Sequence, residues 1–159
     1  MNKVFFDYKL DLIEIKKENQ LDFTELDIHK LKNMLNGRIY VFFEYDNPKK
    51  RNFMLLDTGI IDYLIQFNNV LTYIDKGNSE TFTVSRDYYS NSLDYFYSKE
   101  NDSLKISEVN SALYTIICNY KDFKKNYEKF RKKVLNELVV FYPQLKENNA
   151  FKEHFSNFL

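Results

Sequence analysis

The chain has 159 residues, with 23 basic and 23 acidic side chains, so its formal net charge is zero and no overall field draws it toward nucleic acid. Hydrophobic residues make up 44% and aromatics 18%, with 15 Phe, 13 Tyr and no Trp; that composition argues against intrinsic disorder and can bury a core without disulfides or metals. Three Gly and two Pro argue against long flexible linkers and a glycine-rich phosphate loop, and the single cysteine, Cys118, excludes an internal disulfide and a Cys-pair metal site.

The elements follow from the periodicity. Val4, Phe6, Tyr8, Leu10 and Leu12 alternate with Asp7, Lys9 and Asp11, a two-residue period that predicts a strand with one face to the core. The phase flips at Ile13 and Ile15, so the strand bulges near Leu12 or ends and restarts there. Thr24 is placed to cap a helix running to about Leu35, with Gly37 ending it. Residues 38–45 (RIYVFFEY) and 52–57 (NFMLLD) predict paired strands joined by a turn at Asp46-Asn47-Pro48, with Lys49, Lys50 and Arg51 at its tip.

Residues 59–74 (GIIDYLIQFNNVLTYI) form the stretch around which the chain is organised. Ile60, Leu64, Phe67, Leu71 and Ile74 share one helical face, and Ile61, Ile65 and Val70 widen it, so the helix needs cover on more than one side. Lys76-Gly77-Asn78 stops it. Phe82 and Val84 predict a short strand, Leu93 to Tyr97 and Leu104 to Ile106 a hairpin turning at Glu100-Asn101-Asp102. Leu113 to Tyr120 reads as an inner strand, with helix as the alternative. Lys121 to Tyr142 reads as the longest helix, broken by Pro143, and a short last helix opens at Asn148 or Asn149. The expectation is one α+β domain over residues 1–159, mainly antiparallel sheet packed against a central helix, with a helical C-terminus.

Charge is unevenly spread. Asp7 to Asp27 holds seven acids against three lysines, a net of −4, and Lys121 to Lys133 holds seven bases against two acids, a net of +5. No segment has the apolar run of a signal peptide or a membrane helix, which together with the lone cysteine points to the cytoplasm. Catalytic motifs are missing: there is no H-E-x-x-H, no phosphate-binding loop and no dinucleotide fingerprint. His29 and His154 have no second ligand at metal spacing, and Cys118 is expected to point into the sheet, where a thiol is inert. These residues imply no enzyme, no cofactor and no metal.

The stretch DYYSNSLDYFYSKEND, residues 87–102, is the candidate binding site. It sets Asp87, Asp94, Glu100 and Asp102 beside Tyr88, Tyr89, Tyr95 and Tyr97, with Lys99 as its one base. Tyrosine offers large contact area at low entropic cost, and neighbouring acids steer a cationic partner. The competing reading is that alternate tyrosines face the sheet core and the acids keep a hairpin soluble.

The order of elements after residue 38 resembles that of small bacterial immunity proteins, the antitoxin partners in contact-dependent inhibition and polymorphic-toxin systems. The resemblance is carried by RIYVFFEY and NFMLLD, the helix GIIDYLIQFNNVLTYI, the strands ETFTVS, LDYFYS and LKISEV, and the helix from Lys121. It implies a cytoplasmic protein without catalysis of its own that binds a cognate toxin domain, often a basic nuclease, and occludes its active site or an exosite. No binding residue carries over by position. A nucleic-acid-binding or regulatory module using Lys49, Lys50, Arg51 and the outer face of Lys121 to Lys133 is the alternative. The breadth of the central helix is also compatible with a homodimer.

Overall fold

The computed structural model describes residues 1–44, 51–77, 81–84, 93–108 and 115–156. The turn at Asp46-Asn47-Pro48, the Lys49-Lys50 pair, Asn78, and Asp87, Tyr88 and Tyr89 lie outside the described residues. The elements run β1 (Lys3–Leu10), α1 (Leu12–Glu18), α2 (Ile28–Asn33), β2 (Asn36–Glu44), β3 (Arg51–Gly59), α3 (Ile60–Asp75), β4 (Phe82–Val84), β5 (Leu93–Ser98), β6 (Ser103–Glu108), β7 (Thr115–Asn119) and α4 (Tyr120–Phe141). A 3₁₀ turn (Pro143–Lys146) and α5 (Asn149–Phe155) follow. The α+β class and the antiparallel pairing read from the sequence are what the chain adopts.

The strands divide into two antiparallel sheets, β1-β2-β3 and β4-β5-β6-β7. Among the described residues a parallel bridge, Asn2 to Cys118, joins them where the Asn2 N–H donates to the Ile117 carbonyl at 3.1 Å. α4 packs against both β1 and β7. Asn126 on α4 donates to the Val4 carbonyl at 2.9 Å, occupying a backbone acceptor that the open edge of β1 would otherwise leave to another chain.

Both long helices pack on the inner side. α3 is buried on nearly every side, from Ile60 to Ile74, as its apolar breadth required. Phe67 sits at the centre, fully buried. Its ring lies 5.8 Å from Phe6 of β1, 5.2 Å from Tyr95 of β5, and 5.6 and 4.6 Å from Phe123 and Tyr127 of α4, all centroid to centroid. Edge-to-face and tilted pairs at these distances add to area burial. Tyr127 and Tyr120 then pin α4 to α3 by donating to the Leu64 and Leu71 carbonyls at 3.1 and 3.3 Å.

Three local expectations are corrected. The phase flip after Leu10 is a helix, not a bulge. Asp11 caps it by accepting from the Ile13 N–H at 2.9 Å, and Leu12 and Ile13 point to solvent. Thr24 caps nothing, because its hydroxyl donates to Asp22 Oδ1 at 2.6 Å in a local turn; Asp27 caps α2 instead, accepting from the Lys30 N–H at 2.9 Å. Gly37 does not end α2. It lies in β2, where a Cβ would stand 2.3 Å from the Lys9 carbonyl oxygen, so glycine is needed for the close approach of β1. Of the ambiguous stretch Leu113 to Tyr120, Leu113 and Tyr114 lie outside the described residues, Thr115–Asn119 forms strand β7 and Tyr120 opens α4, and Gly77 does end the central helix region with φ +82°.

The C-terminal segment closes over the α1–α2 region. Asn148, buried, donates through Nδ2 to the Phe23 and Leu26 carbonyls at 2.6 and 2.8 Å and accepts the Phe151 N–H at 2.8 Å, so it both caps α5 and holds the earlier loop. Glu18 is the second tie, accepting from the Leu35 N–H at 2.9 Å and the Tyr142 hydroxyl at 3.0 Å while only 4% exposed. Desolvation outweighs those two donors and pushes its carboxyl above the usual range.

Two outcomes follow from this core. Phe67→Ala should cost about 3–5 kcal/mol in urea unfolding, because the cavity opens between both sheets and both helices. Because the folded Glu18 carboxyl titrates above its ordinary value of 4.5, its stabilising contribution is present below that value and is lost as pH rises through the folded one. The parent's stability relative to Glu18→Gln should therefore decline from acid to neutral pH, and a difference that stays flat across that range would contradict the assignment.

Candidate functional site

The β5–β6 hairpin positions the stretch singled out by composition. Leu93, Tyr95 and Tyr97 turn inward and Asp94, Phe96 and Ser98 outward, by the two-residue alternation of a strand. Tyr95 is 2% exposed against Phe67 and Phe123, so it belongs to the core and not to a partner-facing patch. Burial pushes its hydroxyl well above the usual tyrosine range. Asp94 is half-buried on the outward face and Glu100 is exposed at the hairpin tip.

Tyr97 and Asp102 are claimed by local structure. Asp102 takes a left-handed φ of 49° at the turn. Its carbonyl accepts the Tyr120 N–H at 2.9 Å and its carboxylate accepts Asn119 Nδ2 at 3.2 Å, so the turn orients the start of α4. The Tyr97 hydroxyl donates to the same carboxylate at 3.2 Å, and its ring packs on Tyr120 at 5.0 Å. Substituting Asp102 would disturb the fold along with any surface it borders.

Sequence reasoning missed Phe96. It is 48% exposed, and the register lines it up with Lys105 of β6 and Ile117 of β7, itself 48% exposed, in one row across the outer face of the sheet. The signal was available: with Leu93 inward, alternation sends Phe96 out and Tyr95 in. Acidic Asp94 and Glu100 flank the row on the same hairpin.

Beside the hairpin lies a cavity of about 470 Å³, lined among others by Asp75, Tyr97, Lys99, Asp102, Tyr120 and Lys124. It sits between the end of α3 and the start of α4. Asp75 is bound there by Lys124 Nζ at 2.7 Å and by the Tyr120 hydroxyl at 2.8 Å. Partial burial raises its carboxyl, but these two partners win and hold it below the usual range. Lys99 Nζ lies over Gly77, 2.6 Å from where a Cβ would be, so a side chain at Gly77 would displace that ammonium.

Cys118 is buried, and desolvation first, with Asp122 second, pushes its thiol up to about 12. His29 and His154 are exposed, and His154 Nδ1 lies 2.9 Å from the Ala150 carbonyl on its own helix. Among the described residues no group of three His, Cys, Asp or Glu could hold a metal ion, and no helix is long and apolar enough to cross a membrane.

No protein-family model matches the chain, and no curated protein and no solved structure matches it.

The Asp75 network carries a pH signature. Its carboxyl lies below the ordinary value of 3.8, so the stability it contributes is present above that value and fades as pH falls through the folded one. The gap in urea midpoint between the parent and Asp75→Asn should be full at neutral pH and shrink in acid; a gap that widens in acid would rule the assignment out.

Proposed function

We propose that the chain is an immunity protein, which binds a cognate bacterial toxin domain in the cytoplasm and neutralises it by steric and electrostatic occlusion, without catalysis of its own. The observation that carries this reading is the outer face of β5–β6–β7. There two exposed apolar side chains, Phe96 and Ile117, stand in one row, with Asp94 and Glu100 beside them. An exposed aromatic bordered by charge is the pattern of a protein-binding hot spot, where a few central anchors carry most of the energy. Acids at the rim would speed encounter with a basic nuclease.

The layout resemblance, drawn from RIYVFFEY, NFMLLD, GIIDYLIQFNNVLTYI, the strands ETFTVS, LDYFYS and LKISEV and the helix from Lys121, favours the same reading. The toxin-facing set is accordingly redrawn as Asp94, Phe96, Glu100 and Ile117. Tyr95 is removed, and Tyr97 and Asp102 become the support for the hairpin tip. A standard-size interface of about 1,600 Å² would extend well beyond these four residues.

Co-expression with the product of the adjacent gene, followed by pull-down and a growth assay, tests the reading. A stable complex that restores growth is expected, and in the purified complex Phe96→Ala should weaken affinity by about 2 kcal/mol or more. Asp94→Lys should lower the association rate, most of all at low salt. Absence of both complex and growth rescue would end the immunity reading. A complex whose affinity is indifferent to Phe96→Ala would move the interface elsewhere.

A further inference from the structure

The cavity beside the hairpin gathers ammonium groups from three separate elements. Lys76 follows the last turn of α3, Lys99 stands at the β5–β6 turn and Lys121 lies in the first turn of α4. None of the three has an acidic partner among the described residues. The fourth lysine there, Lys124, is neutralised by Asp75 at 2.7 Å. The other carboxylate lining the cavity is Asp102. It accepts from the Tyr97 hydroxyl and from Asn119 Nδ2, neutral donors that leave its charge in place. Four lysines against two carboxylates give the cavity a net charge of +2.

Helix termini do not cancel this excess. The C-terminus of α3 and the N-terminus of α4 both meet the cavity, and their partial charges, roughly −0.5 and +0.5, offset one another. The three unpaired ammoniums repel each other, which an anion between them would relieve. Lys99 holds its place because residue 77 is glycine: its Nζ would stand 2.6 Å from a Cβ there. The volume, about 470 Å³, falls in the range of small-molecule sites.

We propose that this cavity binds a small phosphorylated molecule through a phosphomonoester dianion. A charge of −2 matches the excess of +2, and three terminal oxygens can each accept from one ammonium. Lysine meets phosphate as a point charge, whereas a carboxylate is better matched by the planar fork of arginine, and no arginine lines the cavity. The phosphodiester of a nucleic-acid strand carries a single charge and matches less well. The proposal does not rest on the toxin-binding reading, and its test uses the purified chain alone.

NMR titration of the labelled protein with inorganic phosphate, ribose 5-phosphate and ribose tests it. The ester should give saturable shifts at the amides of Gly77, Lys99 and Lys121, and ribose none. Lys99→Ala combined with Lys121→Ala should weaken the ester about tenfold or more, while Lys16→Ala on α1 binds as the parent does. Moving from pH about 7.5 to about 5.5 crosses the second phosphate ionisation near 6, so the ester should weaken several-fold, while sulfate, a dianion throughout, should not. Absence of saturable shifts at low salt would overturn the proposal. So would a double variant that binds like the parent, or an oligonucleotide without a terminal phosphate that competes as well as the ester. An ester that binds no tighter than inorganic phosphate would mark an adventitious ion only, and a phosphoserine peptide far tighter than phosphoserine would make the occupant a modified protein; either result overturns it. If the double variant fails to fold by circular dichroism, the comparison of ester and sulfate across pH, made on the unaltered chain, decides the matter.

Discussion

The structure depends on a single aromatic side chain of α3 that meets three other elements at once. Phe67 touches Phe6 from one sheet, Tyr95 from the other, and Phe123 and Tyr127 from α4, while riding on α3. Among the described residues the two sheets share the Asn2–Cys118 bridge alone, so backbone pairing there does little to hold them in a fixed relation. Side-chain packing must do so. Rings suit this task because each buries a large area with few rotatable bonds, and their mutual tilt constrains orientation as well as distance.

This arrangement leaves the two sheets with outward faces of different chemistry. α3 and α4 take the inner faces, and α4 also covers the edge of β1 through Asn126. What remains outside is a face with Phe96, Lys105 and Ile117 on β5–β7 and a face with Phe5, Tyr40 and Phe42 on β1–β2, where the register sets Lys3 opposite Glu44 and, on β3, Asp57 opposite Arg38. The acidic hairpin borders the first and the basic run of α4 borders the second. The polar interior is economical by comparison: Asn148 and Glu18 each satisfy two or more backbone or hydroxyl groups, and both tie the C-terminal segment to the region around α1 and α2.

Much of the fold was legible because periodicity is a local property. The alternation from Val4 to Leu10, the broad apolar helix through Ile74, the hairpin at Glu100–Asp102 and the stop at Pro143 all appear where the pattern puts them. Errors arose where two short-range solutions compete. Asp11 and Asp27 are good helix caps, but so is Thr24 in isolation, and the choice fell to Asp27 because Asp22 already holds the Thr24 hydroxyl. In the candidate site, composition drew attention to tyrosines, whereas exposure belongs to Phe96. The composition of a strand does not say which of its two faces looks out; its phase does, once one inward residue is known.

The amino-acid sequence alone determined most element types and their order, α1 excepted, together with the antiparallel α+β class, since these rest on spacing, caps and turn chemistry within a few residues. Only the tertiary structure decided that the strands form two sheets, that Gly37 serves a strand approach, that Tyr95 is buried, and that Lys125 and Lys129 stand beside Phe5. Each of those outcomes depends on which distant segments pack together. That choice is a balance of aromatic packing, edge coverage and desolvation summed over the whole chain, and no single window of residues contains it.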